Sequence, residues 1–203
     1  MNLPNKLTLT RLILIPFFIA VFYAPFPGHY FVALAIFAIA SATDFFDGYI
    51  ARKYNLVTDL GKFMDPIADK VLVLASLVVL LADPYASNVF LVFGSFGLIL
   101  GGVGVSIIVA REMAISSLRM MAAKKGIVLA AEKSGKIKTF FTDISIIVLL
   151  VAAGLYDLAS AGIHSPSGVG IVGLAFFGIS VLLTVYSGIS YLIKNASVFG
   201  ESR

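Results

Sequence analysis

Residues 30–82 read YFVALAIFAIASATDFFDGYIARKYNLVTDLGKFMDPIADKVLVLASLVVLLA, two apolar runs meeting at a short charged centre. A helix needs about 20 apolar residues to cross the hydrocarbon core of a bilayer, and Tyr30–Ala51 and Phe63–Ala82 each meet that length. Five of the 11 acidic residues of the chain lie where the runs meet: Asp44, Asp47, Asp59, Asp65 and Asp69. Asp44 and Asp47 stand at i and i+3, and Asp65 and Asp69 at i and i+4, so each pair shares one helix face. A short link between the two helices makes them antiparallel neighbours whose carboxylates converge. Asp59, in the link, reads as a solvated or capping residue.

Four more apolar runs lie outside this centre: Leu9–Pro25, Val89–Ala110, Thr139–Leu155 and Val169–Ile193. The expected architecture is therefore an all-α integral membrane protein of six transmembrane helices, with residues 1–203 forming one domain. Composition agrees: 60% of the 203 residues are hydrophobic and 13% charged, and mean hydropathy is +1.02. A soluble domain carries about a quarter charged residues. The connections Phe26–His29, Asp83–Asn88 and Tyr156–Gly168 contain no Lys or Arg, so all 15 basic residues fall at the other ends of the runs. By the positive-inside rule that end, with both termini, is cytoplasmic, in a multi-pass protein of the cell (inner) membrane. The net charge of +4 follows from this topology. No basic stripe interleaved with aromatics is present, so nucleic acid is not an expected partner.

There is no cysteine and there are only two histidines, His29 and His164, on the end opposite the carboxylates. Thiolate and imidazole metal sites are thereby set aside. Four converging carboxylates repel one another, and near hydrocarbon each costs up to about 2.5–3.5 kcal/mol. Divalent cations relieve both costs. All-oxygen ligation selects Mg2+ or Mn2+, and two carboxylate pairs suit two ions about 3.5–4 Å apart, the arrangement of in-line phosphoryl displacement. The bland reading makes the acids interfacial caps paired with Arg52, Lys53, Lys62 and Lys70. It would win for one Asp; four on two facing helices favour a functional site. Gly48 lets a phosphate or nucleoside approach the backbone, and Arg52, one turn on, can fork onto a diphosphate. Gly61 relieves crowding where the helices meet, and Pro66 leaves the carbonyl of Lys62 without a helical partner.

Asp44-Phe-Phe-Asp47-Gly48-Tyr-Ile-Ala51-Arg52, eight residues, and Gly61-Lys-Phe-Met-Asp65-Pro-Ile-Ala-Asp69 resemble at every defined position the signature of the CDP-alcohol phosphotransferases, DxxDGxxAR-x8-GxxxDxxxD. The resemblance implies the six-helix fold of that family, a homodimer, and two divalent ions per active site at the cytoplasmic face. It implies Asp44, Asp47 and Asp65 as metal ligands, with Asp69 both ligand and general base. Gly48, Arg52, Thr58 and Gly61 would contact the CDP-lipid or shape its site, helped by Asn5, Thr8 and Arg11. Three further stretches, LPNKLTLTRLILIPFF, VAREMAISSLRMMAAKKG and KSGKIKT, are similar to the branch of the family that uses glycerol 3-phosphate.

That branch implies phosphatidyl transfer from CDP-diacylglycerol to glycerol 3-phosphate, giving phosphatidylglycerophosphate and CMP for phospholipid synthesis. Arg111, Arg119, Lys136 and Lys138, at the charged ends of spans four and five, would hold the anionic acceptor. Arg111 ends an apolar run and is expected to face the bundle. Arg119, eight residues on, lies about 80° around the helix and need not share its face. Lys124 and Lys125 read as contacts to lipid headgroups. The rival readings are another acceptor (inositol phosphate, serine or phosphatidylglycerol) and an ion carrier, which leaves Gly48, Arg52 and the spacing unexplained. Asp143 is read as a partner of Lys138 or Lys136 or a neighbour of the site, and Asp83 and Asp157 as helix terminators. Gly97, Gly101, Gly170 and Gly173 suit close helix packing.

Overall fold

The computed structural model describes residues 3–53, 59–83, 86–127, 129, 133–160 and 167–196; within these, side chains are described except at 3–7, 44–53, 59–66, 69, 92, 93, 124, 133, 160 and 167. Among them are six α-helices: α1 (Leu3–Phe22), α2 (His29–Lys53), α3 (Asp59–Ala82), α4 (Gly94–Lys124), α5 (Lys133–Ser160) and α6 (Ser167–Lys194). A 3-10 segment, Ala86–Phe93, precedes α4. No strand occurs among the described residues.

Gly94–Ala123, Ser134–Ala159 and Gly168–Lys194 are long and apolar enough to cross a membrane, and Thr8–Phe22, His29–Thr43 and Lys70–Ala82 are shorter apolar helical stretches. The lipid-like exterior fits: Ile99, Leu182 and Ile193 are all exposed. In water such a surface would associate; in a bilayer it is solvated.

Contacts fix an alternating arrangement. Phe22 packs on Tyr30 and Phe18 on Phe37, so α1 and α2 are antiparallel. The amide of Gly28 donates to Asp157 Oδ2 at 3.2 Å, tying the α1–α2 turn to the far end of α5. Thr142 on α5 meets Ser180 on α6, and a Cβ on Gly173 would meet Leu149, so these helices are antiparallel too. The described basic side chains, Arg11, Lys70, Arg111, Arg119, Lys125, Lys136, Lys138 and Lys194, therefore gather at one end of the bundle. His29, Asp83 and Asp157 lie at the other.

Two boundaries depart from the apolar runs. Gly94 has φ of 65°, a left-handed conformation no helix can pass through, so the expected run Val89–Ala110 splits into the 3-10 segment and α4. Helix α4 then continues well past Ala110. It stops at Gly126 (φ 71°), where the amide of Gly126 donates to the carbonyl of Ala123 and that of Ile127 to Ala122. This left-handed cap satisfies the last carbonyls of the helix. The extension exposes Met113, Met120 and Met121 beside Ser117 and Arg119, and buries Ile115, Leu118 and Ala122 around Tyr191 of α6, a small second core beside the main one.

Gly101, Gly170 and Gly173 pack closely, as expected. A Cβ on Gly101 would come within 2.7 Å of the Phe90 ring, and one on Gly170 within 3.1 Å of Val89. Asp83 does end α3, but its carboxylate also anchors the 3-10 segment beyond it: Oδ1 accepts from the Ala86 amide at 2.8 Å and from Tyr30 Oη at 2.6 Å. Asp157 lies inside α5 and does not end it, since the helix runs on to Ser160.

Candidate active site

Three helices carry buried rows toward the charged end. On α2 the buried residues Tyr30, Ala33, Phe37 and Ala40 recur at alternating spacings of three and four, and Asp44 and Asp47 continue the row in register. On α3, Asp65 and Asp69 fall in the register of the buried Ala68, Leu72 and Ser76. Helix α1 buries Thr8, Arg11, Ile15, Phe18 and Phe22. Counting along the antiparallel pair from Phe22–Tyr30 and Phe18–Phe37, Arg11 stands about level with residues 41–44 of α2, and Thr8 with 44–47.

The backbones of Asn5, Asp44, Asp47, Gly48, Arg52, Gly61, Asp65 and Asp69 are helical. Their side-chain geometry, and Thr58 altogether, lie outside the described residues. Among the described residues no group of three or more His, Cys, Asp or Glu stands close enough to hold a metal. Thr8 and Arg11 are described, and Arg11 is fully buried, 0% exposed. A guanidinium is buried only where charge or hydrogen bonds compensate its desolvation, and it has such a partner here.

The basic residues of α4 and α5 separate into two kinds. Arg111 threads between α5 and α6: a Cβ on Gly135 would stand 3.5 Å from its Nη2, and one on Gly188 would stand 3.0 Å from its Cγ. Its Nη1 donates to Glu112 Oε1 at 2.8 Å and its Nη2 to Ser187 Oγ at 3.2 Å. Its Nε is buried with no hydrogen-bond partner among the described residues. Lys138 Nζ donates to the same Glu112 Oε1 at 2.6 Å, and its side chain is only 4% exposed. Lys136 is exposed and belongs to the surface. Arg119 is exposed as well, yet its Nε donates to Tyr191 Oη on α6 at 3.2 Å. Arg111 and Arg119 thus both reach α6, Arg111 inside the bundle and Arg119 at its edge.

Two features join this cluster to α3. Lys70, next after Asp69, donates to Ser116 Oγ on α4, and Ser116 Oγ donates to the carbonyl of Glu112 at 2.7 Å. Beside them lies a cavity of about 20 Å3 lined by Lys70, Val73, Leu74, Glu112, Lys138, Thr139 and Thr142, room for one water. A seam of buried hydroxyls supports it from behind. Thr142 and Ser180 hydrogen-bond between α5 and α6, and Thr184 and Ser187 bond back to their own helix.

Sequence reasoning passed over Glu112, Ser116, Ser187 and Tyr191 as parts of this end of the molecule, and took Lys70 only as a partner for the acids. For Glu112 a signal existed: it is the only acid between Asp83 and Glu132, and it adjoins an arginine at the end of an apolar run. The hydroxyls carried none, because Ser and Thr inside apolar helices usually bond their own backbone.

Among the described residues the chain is a bundle of apolar helices with its basic side chains, Arg111 and Lys138 included, at one end. A sequence model of the CDP-alcohol phosphatidyltransferase family matches residues 1–186, and the chain belongs to that family. It is similar to the CDP-diacylglycerol–glycerol-3-phosphate 3-phosphatidyltransferase of Bacillus subtilis (strain 168), 38% identical over 96% of this chain and 95% of the relative. Relatives bearing the same name from Shigella flexneri serotype 5b and Escherichia coli K12 are 36% and 35% identical, each over 94% of this chain and 93% of the relative.

Proposed function

We propose that this chain transfers the phosphatidyl group of CDP-diacylglycerol to glycerol 3-phosphate, forming phosphatidylglycerophosphate and releasing CMP. The chain matches relatives of that name over nearly their whole length. The observation that carries the choice of acceptor is the half-buried Arg111 beside the buried Lys138, both on Glu112, with the backbone of Glu112 joined through Ser116 to Lys70, the neighbour of Asp69. A half-buried guanidinium whose Nε has no partner among the described residues suits an anionic phosphate, and would be poorly used by a neutral alcohol.

In this reading all six helices span the inner membrane, with both termini and the active site at the cytoplasmic face. The clustering of the described basic residues at the α1 N-terminal end supports that orientation. Residues 1–203 form one domain, which works as a homodimer among membrane lipids. The donor set fits hard divalent ions, since it offers carboxylates in register on two helices and no thiol. Asp44, Asp47, Asp65 and Asp69 would hold two Mg2+ or Mn2+ ions, which when bound would offset charge on the diphosphate and on the leaving CMP.

The remaining work falls to the chain. Asp69 accepts the proton of the 1-hydroxyl of glycerol 3-phosphate as its oxygen bonds to the phosphorus carrying diacylglycerol. The bond from that phosphorus to the CMP oxygen breaks in line. Arg111 and Lys138 hold the acceptor phosphate, and Gly48, Arg52, Thr58 and Gly61, with Asn5, Thr8 and Arg11, receive the CDP portion.

The test is product identification from purified protein given CDP-diacylglycerol, Mg2+ and a panel of acceptors: glycerol 3-phosphate, inositol phosphate, serine and phosphatidylglycerol. Phosphatidylglycerophosphate and CMP in equal amounts are expected with glycerol 3-phosphate. Faster CMP release with another acceptor would overturn the assignment.

A further inference from the structure

We infer that Glu112 is a positioning residue for the acceptor: it sets the Arg111 guanidinium and the Lys138 ammonium at a fixed separation so that they grip one phosphate together. The inference rests on the proposed function, in which these two cations meet glycerol 3-phosphate.

The geometry is specific. One oxygen, Oε1, takes both Arg111 Nη1 at 2.8 Å and Lys138 Nζ at 2.6 Å, so α4 and α5 are pinned through a single atom. Without it, two cations would face each other with side chains 14% and 4% exposed. Like charges so poorly solvated repel, and the two side chains would swing apart. With it, the trio carries one net positive charge, enough to attract an anion without binding it irreversibly.

Arg111 has little other freedom. Gly135 and Gly188 confine its stem and head, and Ser187 takes Nη2. With Glu112 on Nη1 and Ser187 on Nη2, one N–H on each of these nitrogens and that of Nε remain for a ligand or water. The α4 backbone at Glu112 is tied to α3 as well, since its main-chain carbonyl accepts from Ser116, which accepts from Lys70 on the helix of Asp69. The carboxylate therefore sets the two cations from a stretch of α4 that is anchored to the carboxylate helix.

The experiment compares Glu112→Gln, Glu112→Asp and Arg111→Gln in purified protein, reading KM for glycerol 3-phosphate, KM for CDP-diacylglycerol, kcat and Tm. Glu112→Gln is expected to raise KM for glycerol 3-phosphate about tenfold or more while KM for CDP-diacylglycerol stays within about twofold. Glu112→Asp, which keeps the charge on a shorter stem, should fall between Gln and the native residue. A purely structural role would instead lower Tm and kcat and leave both KM values alone, and that pattern would overturn the inference.

If Arg111→Gln raises the acceptor KM and Glu112→Gln does not, Glu112 loses its role while the acceptor site stands. If neither variant moves it, the placement of the acceptor at Arg111 fails first. Should Glu112→Gln fold poorly, the double variant Glu112→Gln with Lys138→Met removes the stranded cation. Lys138→Met alone is then the reference: an acceptor KM in the double variant no higher than in Lys138→Met would show that Glu112 only neutralises Lys138 and would sink the positioning role, whereas a higher one supports it.

Discussion

Arg119 lies against Tyr191 twice over: its Nε donates to the phenol oxygen at 3.2 Å, and its guanidinium carbon sits 5.5 Å from the ring centroid. Tyr191 is buried among Ile115, Leu118 and Ala122, so the ring is fixed and the arginine leans on it. This exposed contact is worth about 0.5–1 kcal/mol. Arg111, by contrast, is held inside the bundle by Glu112 and Ser187. The two arginines should therefore separate in kinetics. Arg119→Gln is expected to leave KM for glycerol 3-phosphate within about threefold, and Arg111→Gln to raise it at least about tenfold, as one lost charge-assisted hydrogen bond would. The opposite order would move the acceptor to the edge of α6.

At the far end, Asp83 holds two donors, Tyr30 Oη and the Ala86 amide, and is itself buried. Asp83→Ala leaves both donors without that acceptor, at a cost of about 1–3 kcal/mol each. A clear fall in Tm is expected in detergent, with both KM values unchanged because the site lies at the other end. A shifted KM would mean that the two ends are coupled through the bundle.

How far the sequence reveals this molecule depends on what each element needs. Six helices are legible in six apolar runs, because in lipid a backbone must satisfy its own hydrogen bonds. The break at Gly94 and the length of α4 were not. A continuous apolar run is only one reason to stay helical, and α4 continues past the charged pair Arg111 and Glu112 by packing Ile115 and Leu118 on Tyr191. The four aspartates stand out in the sequence because acids near hydrocarbon demand a reason, and their side chains lie outside the described residues. The role of Glu112 was not legible, since its meaning lies in Lys138, 26 residues away on another helix. Lys136 and Lys138 look alike in sequence, and only the fold exposes one and buries the other.

Helix packing around Gly104 offers a test of the fold alone. A Cβ there would come 2.7 Å from the ring of Phe177 and 3.0 Å from Val181 on α6. Phe177 is buried and stacks edge-on with Phe90, which limits its retreat. Gly104→Ala should cost about 1–3 kcal/mol, read as lowered Tm. Adding Phe177→Leu should recover part of that loss. A Gly104→Ala protein as stable as the native one would show that α4 and α6 do not approach as described.

The metal proposal predicts that chelation stops CMP release and that Mg2+ or Mn2+ restores it. Asp69→Asn should insert and melt like the native protein yet release no CMP, because the amide cannot take the proton of the attacking hydroxyl. CMP release by Asp69→Asn at a rate near the native one would remove Asp69 from that role.

Arg11 carries the last prediction. Its guanidinium is fully buried on α1, about level with residues 41–44 of α2, while Thr8 one turn earlier is about level with 44–47. An arginine is seldom placed so deep for packing alone, since several kcal/mol of desolvation must be offset. Beside carboxylates it has counter-charges, and beside a CDP diphosphate it has a bidentate partner. The two roles differ in what they move. As a ligand for the donor, Arg11→Met raises KM for CDP-diacylglycerol about tenfold or more and leaves that for glycerol 3-phosphate within about threefold. As a mere counter-ion to the aspartates, the same change removes a competitor for the site and lowers the Mg2+ concentration needed for half-maximal rate, with both substrate KM values unmoved. The first pattern is expected, because Thr8 and Arg11 share one buried face and would approach the donor from α1 together.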